Sequence, residues 1–209
     1  MIQIRNLAYQ YTSHTQILHF PDIELGAHEH LLVLGKSGVG KTTLLHLIAG
    51  LLRSQHGEIS IGKTNLSDLS SRKLDQFRGK EIGLVFQNNH AIRSFNVLEN
   101  LKARLFFAKK SMDIGRIENL LHQLDIKECI DKRINQLSEG QLQRLGIALA
   151  VVHQPQLILA DEPTSSLDDK NCELVMQLVQ EQAKNNGANL MVITHDHRIK
   201  PMFNNIITL

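Results

Sequence analysis

The sequence predicts an α/β fold with a mainly parallel central sheet, a small N-terminal antiparallel β unit and a helical insertion. Three observations carry this. Short apolar, β-rich runs recur at Ile2 to Ile4, Leu31 to Leu34, Glu58 to Ile61, Ile82 to Phe86, Leu157 to Ala160 and Leu190 to Thr194, several alternating with segments of helical period. Two of them, Leu31-Leu32-Val33-Leu34 and Leu157-Ile158-Leu159-Ala160, are apolar at every position, the pattern of central parallel strands covered by helices on both faces. Between Asn88 and about His153 strand signal nearly vanishes, and helical spacing such as Ile114, Ile117, Leu120, Leu121 and Leu124 replaces it.

The elements follow in order. Runs up to about Ile61 are separated by short turns and predict the antiparallel unit beside the main sheet. With no repeat, no low-complexity stretch and only four scattered prolines, residues 1–209 read as one domain: 1–87 and 154–209 form the core with its antiparallel unit, and 88–153 the helical part. A formal net charge of +2 disfavours a dedicated nucleic-acid or anionic-membrane binder, and no apolar run approaches the ~18 to 20 residues of a membrane span. The start lacks a basic segment followed by an apolar one, so no secretory signal is expected, and two cysteines fit a reducing, cytosolic setting. The end at Leu209, soon after the last strand signal, is expected to leave no room for a C-terminal regulatory domain.

Directly after Leu34 stands Gly35-Lys36-Ser37-Gly38-Val39-Gly40-Lys41-Thr42, which fills the spacing G-x-x-x-x-G-K-[ST], with Thr43 following. Leu44, Leu45, Leu47, Ile48, Leu51 and Leu52 then recur at helical spacing, so the glycines fall in a turn between a buried strand and a helix. Backbone N–H groups curled inward and a helix N-terminus make such a turn a phosphate cradle. Lys41 is placed to reach the β- and γ-phosphates of a nucleotide and the Thr42 hydroxyl to ligate Mg²⁺.

The run Leu157 to Ala160 ends in Asp161-Glu162, at the strand edge where open α/β sheets bind ligands. Asp161 suits orientation of Mg²⁺, and Glu162 suits polarising the water that attacks the γ-phosphate. His195 follows the strand Leu190 to Thr194, in reach of the same phosphate. In Leu137-Ser138-Glu139-Gly140-Gln141, Ser138 and Gln141 read as a capping box on the helix carrying Leu142, Leu145, Ala148, Leu149 and Val152. The same helix start offers a second phosphate site, and if it cannot reach the first within one chain, two chains must share the nucleotide.

Taken in this order, the phosphate loop, Gln87, Leu137 to Gln141, Asp161-Glu162, Ser165-Ser166-Leu167-Asp168 and His195 resemble the nucleotide-binding subunit of ATP-binding-cassette (ABC) transporters over nearly the whole chain. The resemblance implies a P-loop NTPase core of the ABC ATPase fold, and ATP and Mg²⁺ as ligands. Tyr11 then stacks on adenine, Gly35 to Thr43 hold the phosphates, Gln87 links Mg²⁺ and the attacking water to the membrane partner, and Glu162 is the base. Ser138, Gly140 and Gln141 complete the site of the opposite subunit in a head-to-tail homodimer, or in a pair with a similar ATPase. Asp168 lies at the seam and His195 on the γ-phosphate. It further implies an integral membrane permease as partner and a place on the cytoplasmic face of the membrane.

Leu44 to Gly50, Arg78 to Gln87 and Asn96 to Asn100 look like the ATPases of lipoprotein release, macrolide export and cell division. Two positions depart from the family: Glu139 replaces a usual glycine, and His28 stands in a turn where positive φ is expected. Candidate permease contacts after Gln87 are Ile92, Phe95, Val97, Leu105, Phe106 and Phe107. Rival readings fare worse. A GTPase needs Asn-Lys-x-Asp, which is absent, and a small-molecule kinase has no use for Leu137 to Gln141. A DNA-repair ATPase needs a coiled coil for which too few residues separate Thr42 from Leu137. A mechanical role in a cell-division complex stays open. The pairs His28/His30 and His195/His197 lack a neighbouring cysteine, and no protein-ligated transition metal is expected there.

Overall fold

The computed structural model describes residues 1–12, 14–86, 90–165 and 167–209. In chain order the elements are β1 (Ile2–Tyr9), β2 (Leu18–His19), β3 (Ile23–Leu25), β4 (His30–Leu34), α1 (Lys41–Ile48), β5 (His56–Ile61), β6 (Thr64–Asn65), α2 (Ser71–Glu81) and β7 (Ile82–Val85). The second half adds α3 (Val97–Phe107), α4 (Ile114–Gln123), α5 (Glu139–Val151), β8 (Leu157–Asp161), α6 (Asp169–Asn186), β9 (Asn189–Thr194) and β10 (Asn205–Thr208). The fold is the expected α/β architecture in two sheets.

The smaller sheet has the order β2-β1-β5-β6 with β3 also on β1, all antiparallel. Strand β1 runs beyond the apolar run Ile2 to Ile4, because its register shifts between Arg5 and Ala8, where Asn6 takes a φ of 50°. The bulge breaks the alternation that a sequence pattern relies on. The larger sheet is wholly parallel, in the order β10-β4-β9-β8-β7.

Strand alternation explains the two uninterrupted apolar runs. Leu31 and Val33 of β4, with Leu157 and Leu159 of β8, face a core shared with α1 and the antiparallel sheet. Leu32 and Leu34, with Ile158 and Ala160, face a second core filled by α3, α4, α5 and α6. Each strand is thus apolar on both sides, as central parallel strands must be. The second core also joins the helical insertion to the sheet without a break.

Helix starts are chemically marked. At the start of α3 the Asn96 amide donates to Glu99 Oε2 and the Glu99 amide to Asn96 Oδ1, both at 2.8 Å, and Asp113 caps α4. Asp168 caps α6 by accepting from the Asn171 amide at 2.9 Å. Helix α2 carries no apolar stripe, burying Leu74 alone, so periodicity does not announce it. Residue pairing sets the strand ends level, Leu34 opposite Thr194 and Asp161 opposite Ile193. Three loops therefore leave one edge together.

Candidate functional site

Strand β4 runs into the glycine loop, whose Gly38 and Gly40 adopt φ of 82° and 106°, a region costly for residues with a Cβ. Gly40 precedes the first residue of α1, so the loop ends on a helix N-terminus as the spacing predicts. The side chain of Lys41 is buried and donates to the Gly35 and Lys36 carbonyls at 2.8 and 3.1 Å, while its Nζ lies 3.6 Å from Glu162 Oε1. The ammonium thus sits inside the curl of Gly35, Lys36, Ser37, Gly38, Val39 and Gly40.

Thr42 donates its hydroxyl proton to Asp161 Oδ2 at 3.2 Å, joining α1 to the end of β8. Asp161 Oδ1 is buried and has no hydrogen-bond partner among the described residues. Burial pushes the Asp161 carboxyl up, opposed by the Thr42 hydrogen bond. An oxygen-only pair with one orphaned carboxylate oxygen fits a hard cation such as Mg²⁺, which keeps several waters and takes few protein ligands. Among the described residues no group of three or more His, Cys, Asp or Glu side chains is arranged to hold a metal.

Glu162 is the most constrained residue of the site. Its φ is 49°, its amide donates to the Ile193 carbonyl at 2.8 Å, and its carboxylate accepts from the Thr194 hydroxyl at 2.6 Å. The His195 amide donates to it at 3.2 and 3.3 Å, and His195 Nδ1 lies 2.9 Å from Oε1. Burial alone pushes this carboxyl up, but the Thr194 and His195 hydrogen bonds outweigh it and hold it below the ordinary glutamate range. A left-handed glutamate fixed by three donors is strain kept in place by its surroundings.

Tyr11 reaches the same region from the antiparallel sheet. Its hydroxyl is 2.9 Å from Thr43 Oγ1 on α1, and its ring meets Tyr9 edge-on at 5.0 Å while staying exposed. Gln87 lies outside the described residues. Thus Tyr11, the glycine loop, Lys41 to Thr43, Asp161, Glu162 and His195 lie together at one edge.

The start of α5 stands apart. Ser138 Oγ accepts from the Gln141 amide at 3.2 Å, and Gln141 Oε1 accepts from the Ser138 amide at 3.0 Å, so the capping box forms. Among the described residues, no hydrogen bond or ion pair of residues 138–141 reaches the glycine loop; the outward partner of Gln141 is Glu128 at 3.5 Å. Ser138, Glu139 and Gly140 are exposed, and a Cβ built on Gly140 meets nothing within 4 Å. Asp168 lies across a small cleft from this helix start, lined also by Glu139, Gly140, Arg144 and Asn171.

Other predicted features fall into place or elsewhere. His28 takes a φ of 63°, as anticipated for its turn, with Nδ1 2.6 Å from the Gly187 carbonyl oxygen. Ile92 and Phe107 line an apolar cavity of about 320 Å³ with Leu84, Phe86 and Leu149, whereas Val97 and Leu105 are core residues. Sequence reasoning missed Thr194, Asp196 and Arg198, which the structure joins to Glu162. The only signal was their place at the end of an apolar strand, Thr194 as its last residue and Asp196 and Arg198 just beyond.

The family profile described as ABC transporter matches residues 18–165. The lipoprotein-releasing system ATP-binding protein LolD of Legionella pneumophila (strain Lens) is 34% identical over 200 residues, covering 95% of this chain and 88% of that protein. The LolD of Buchnera aphidicola subsp. Acyrthosiphon pisum is 38% identical over 166 residues, or 78% and 73% of the two chains. Among solved structures, a dimeric post-hydrolysis state of the ATP-binding cassette MJ0796 bound to ADP and Pi is similar with a TM-score of 0.87 and 31% identity, over 100% of this chain and 94% of that one. CbiO1 of Clostridium perfringens, part of the ABC transporter complex CbiONQ, gives 0.88 and 28% over 99% and 83%.

Proposed function

The chain belongs to the ABC transporter family as an ATP-binding, ATP-hydrolysing subunit, and on that premise we propose that two copies close around two Mg-ATP molecules to drive a separate membrane permease. The observation that carries this reading is the exposed start of α5, a capped helix end with an open glycine face and, among the described residues, no bond to its own glycine loop. Packing within the chain gives no reason for glycine at 140. A phosphate delivered by a second copy does. The cap uses the acceptor side of the Ser138 hydroxyl and leaves its proton free for an anion.

At the strand edge, Lys41 exchanges its two carbonyl partners for phosphate oxygens, and Thr42 with Asp161 would hold Mg²⁺, which would neutralise phosphate charge. Glu162, kept ionised, orients and polarises the attacking water, and the His195 ring, 2.9 Å from Glu162 Oε1 through Nδ1, stands beside the γ-phosphate. Tyr11, tied to Thr43, stacks on the adenine, and Gln87 connects the site to the permease. Asp168 stands at the dimer seam. Glu139 adds a carboxylate beside an anion site and alters ATP affinity without abolishing function.

No helix among the described residues is long and apolar enough to cross a membrane, in keeping with a subunit that docks on a permease at the cytoplasmic face. The core at 1–87 and 154–209 then holds the nucleotide, while 88–153 brings the α5 start to the twin. The LolD relatives support a permease of the lipoprotein-release type, with cargo read by that partner.

Complementation tests the shared site. Chains carrying Ser138→Arg or Lys41→Ala should each be inactive alone, because each pure dimer has two broken sites. Mixed, they should regain ATP hydrolysis, since one of the two sites then pairs an intact loop with an intact helix start. A mixture that forms dimers yet stays inert would refute the arrangement.

A further inference from the structure

We infer that Thr194, Asp196 and Arg198 form a positioning unit that fixes the Glu162 carboxylate and ties it to the residues leading into α6; this rests on the reading of Glu162 as the water-polarising group. The Asp196 amide donates to Thr194 Oγ1 at 2.9 Å, and an amide can only donate. The single hydroxyl proton of Thr194 is therefore directed to Glu162 Oε2, 2.6 Å away. Thr194 is fully buried, so no water competes for that proton. With Oε2 held in this way, Oε1 is the oxygen turned to His195 and Lys41.

Asp196 is itself held from several sides. Arg198 grips it with Nε to Oδ1 at 2.9 Å and Nη2 to Oδ2 at 2.8 Å, the two-pronged geometry that only arginine offers. Oδ2 also accepts the buried Thr164 hydroxyl at 2.8 Å. The rest of the guanidinium reaches forward: Nη1 donates to the Leu167 carbonyl at 3.0 Å and to Asp169 Oδ1 at 2.7 Å, and Nη2 to the Thr164 carbonyl at 3.3 Å. One arginine thus connects the holder of Glu162 to both neighbours of Asp168. A shift of Leu167 or Asp169 when a second copy docks is transmitted to the carboxylate through Arg198, Asp196 and Thr194, the Asp196 amide making the link to Thr194.

Double-variant kinetics on the full chain test this. Thr194→Val keeps the shape and removes the proton; it should lower kcat by about 10- to 100-fold, the effect of losing a hydrogen bond to a charged group, with KM for ATP unchanged. Thr194→Ser should restore turnover. On the Glu162→Gln background Thr194→Val should cost nothing more, because the two act as one. Arg198→Met should show the same kcat-only pattern more weakly, again absent on the Glu162→Gln background; binding of ATP and thermal melting report any loss of folding. Normal kcat in Thr194→Val, or losses that multiply with Glu162→Gln, would overturn the inference while leaving the role of Glu162 intact. Normal turnover in Glu162→Gln alone would instead remove that role and the inference with it.

Discussion

The two helix starts proposed to bind phosphate are built on opposite plans. At α1 three functional side chains already have internal partners: Lys41 its carbonyls, Thr42 its aspartate, Glu162 its hydroxyl and imidazole. At the start of α5 the Ser138 side chain satisfies only the helix itself, and Gly140 presents an open face. The first site is preorganised, which lowers the cost of ordering charge around a phosphate. The second is unfinished until something external arrives. A chain with one closed and one open half-site has a physical reason to pair with its twin.

The strongest way to break the contrast is at the closed site. Glu162→Gln should reduce ATP hydrolysis by about 10² to 10⁴ while ATP binding and dimer closure persist, as expected for removal of a general base. Steady-state turnover with parallel nucleotide binding reads this out, and full turnover would end the assignment.

Acid attacks the interior and spares the open helix end. His153 is buried beneath the helical layer, with Arg104 Nη2 2.8 Å from its Nε2 and Nδ1 lacking a partner among the described residues. Burial, reinforced by the Arg104 charge, lowers its pKa to about 3. The unfolded chain therefore binds the proton first, and stability falls as pH drops below about 6.5, by on the order of 2 kcal/mol at pH 5. Histidine ring signals in NMR should show His153 neutral down to about pH 4. A midpoint near 6.5 would contradict this.

The mildest effect sharpens the comparison at α5. Gly140→Asp places a negative charge in the first turn, where the helix dipole favours it by about 0.3–1 kcal/mol, so thermal stability should hold or rise slightly. The same charge repels an incoming phosphate, so hydrolysis should fall. A stable and fully active variant would mean that no anion visits this helix end.

Much of this was legible in the residues for identifiable reasons. Chemistry that needs one backbone shape leaves a compact trace, as in Gly35 to Thr42, and a strand buried on both faces betrays itself, as β4 and β8 do. Strands β2, β3 and β6 are too short to show alternation, and β10 is an edge strand with only Ile206 and Ile207 as apolar residues. Helix α2 is polar enough to hide its period. Within the site, the loop, the carboxylates, His195 and the capping box could be named in advance. The links among Thr194, Asp196 and Arg198 could not, since a threonine or arginine after a strand has many possible partners and only the fold selects among them.

The carbonyl bonds of Lys41 also bear on the cycle of emptying and refilling. Because the ammonium already has two carbonyl partners in the empty loop, departure of a spent nucleotide, on the reading proposed above, does not strand a cation in a dry hollow. Reloading becomes an exchange of oxygen neighbours, which helps an engine of this kind run through many strokes without its floor caving in between them.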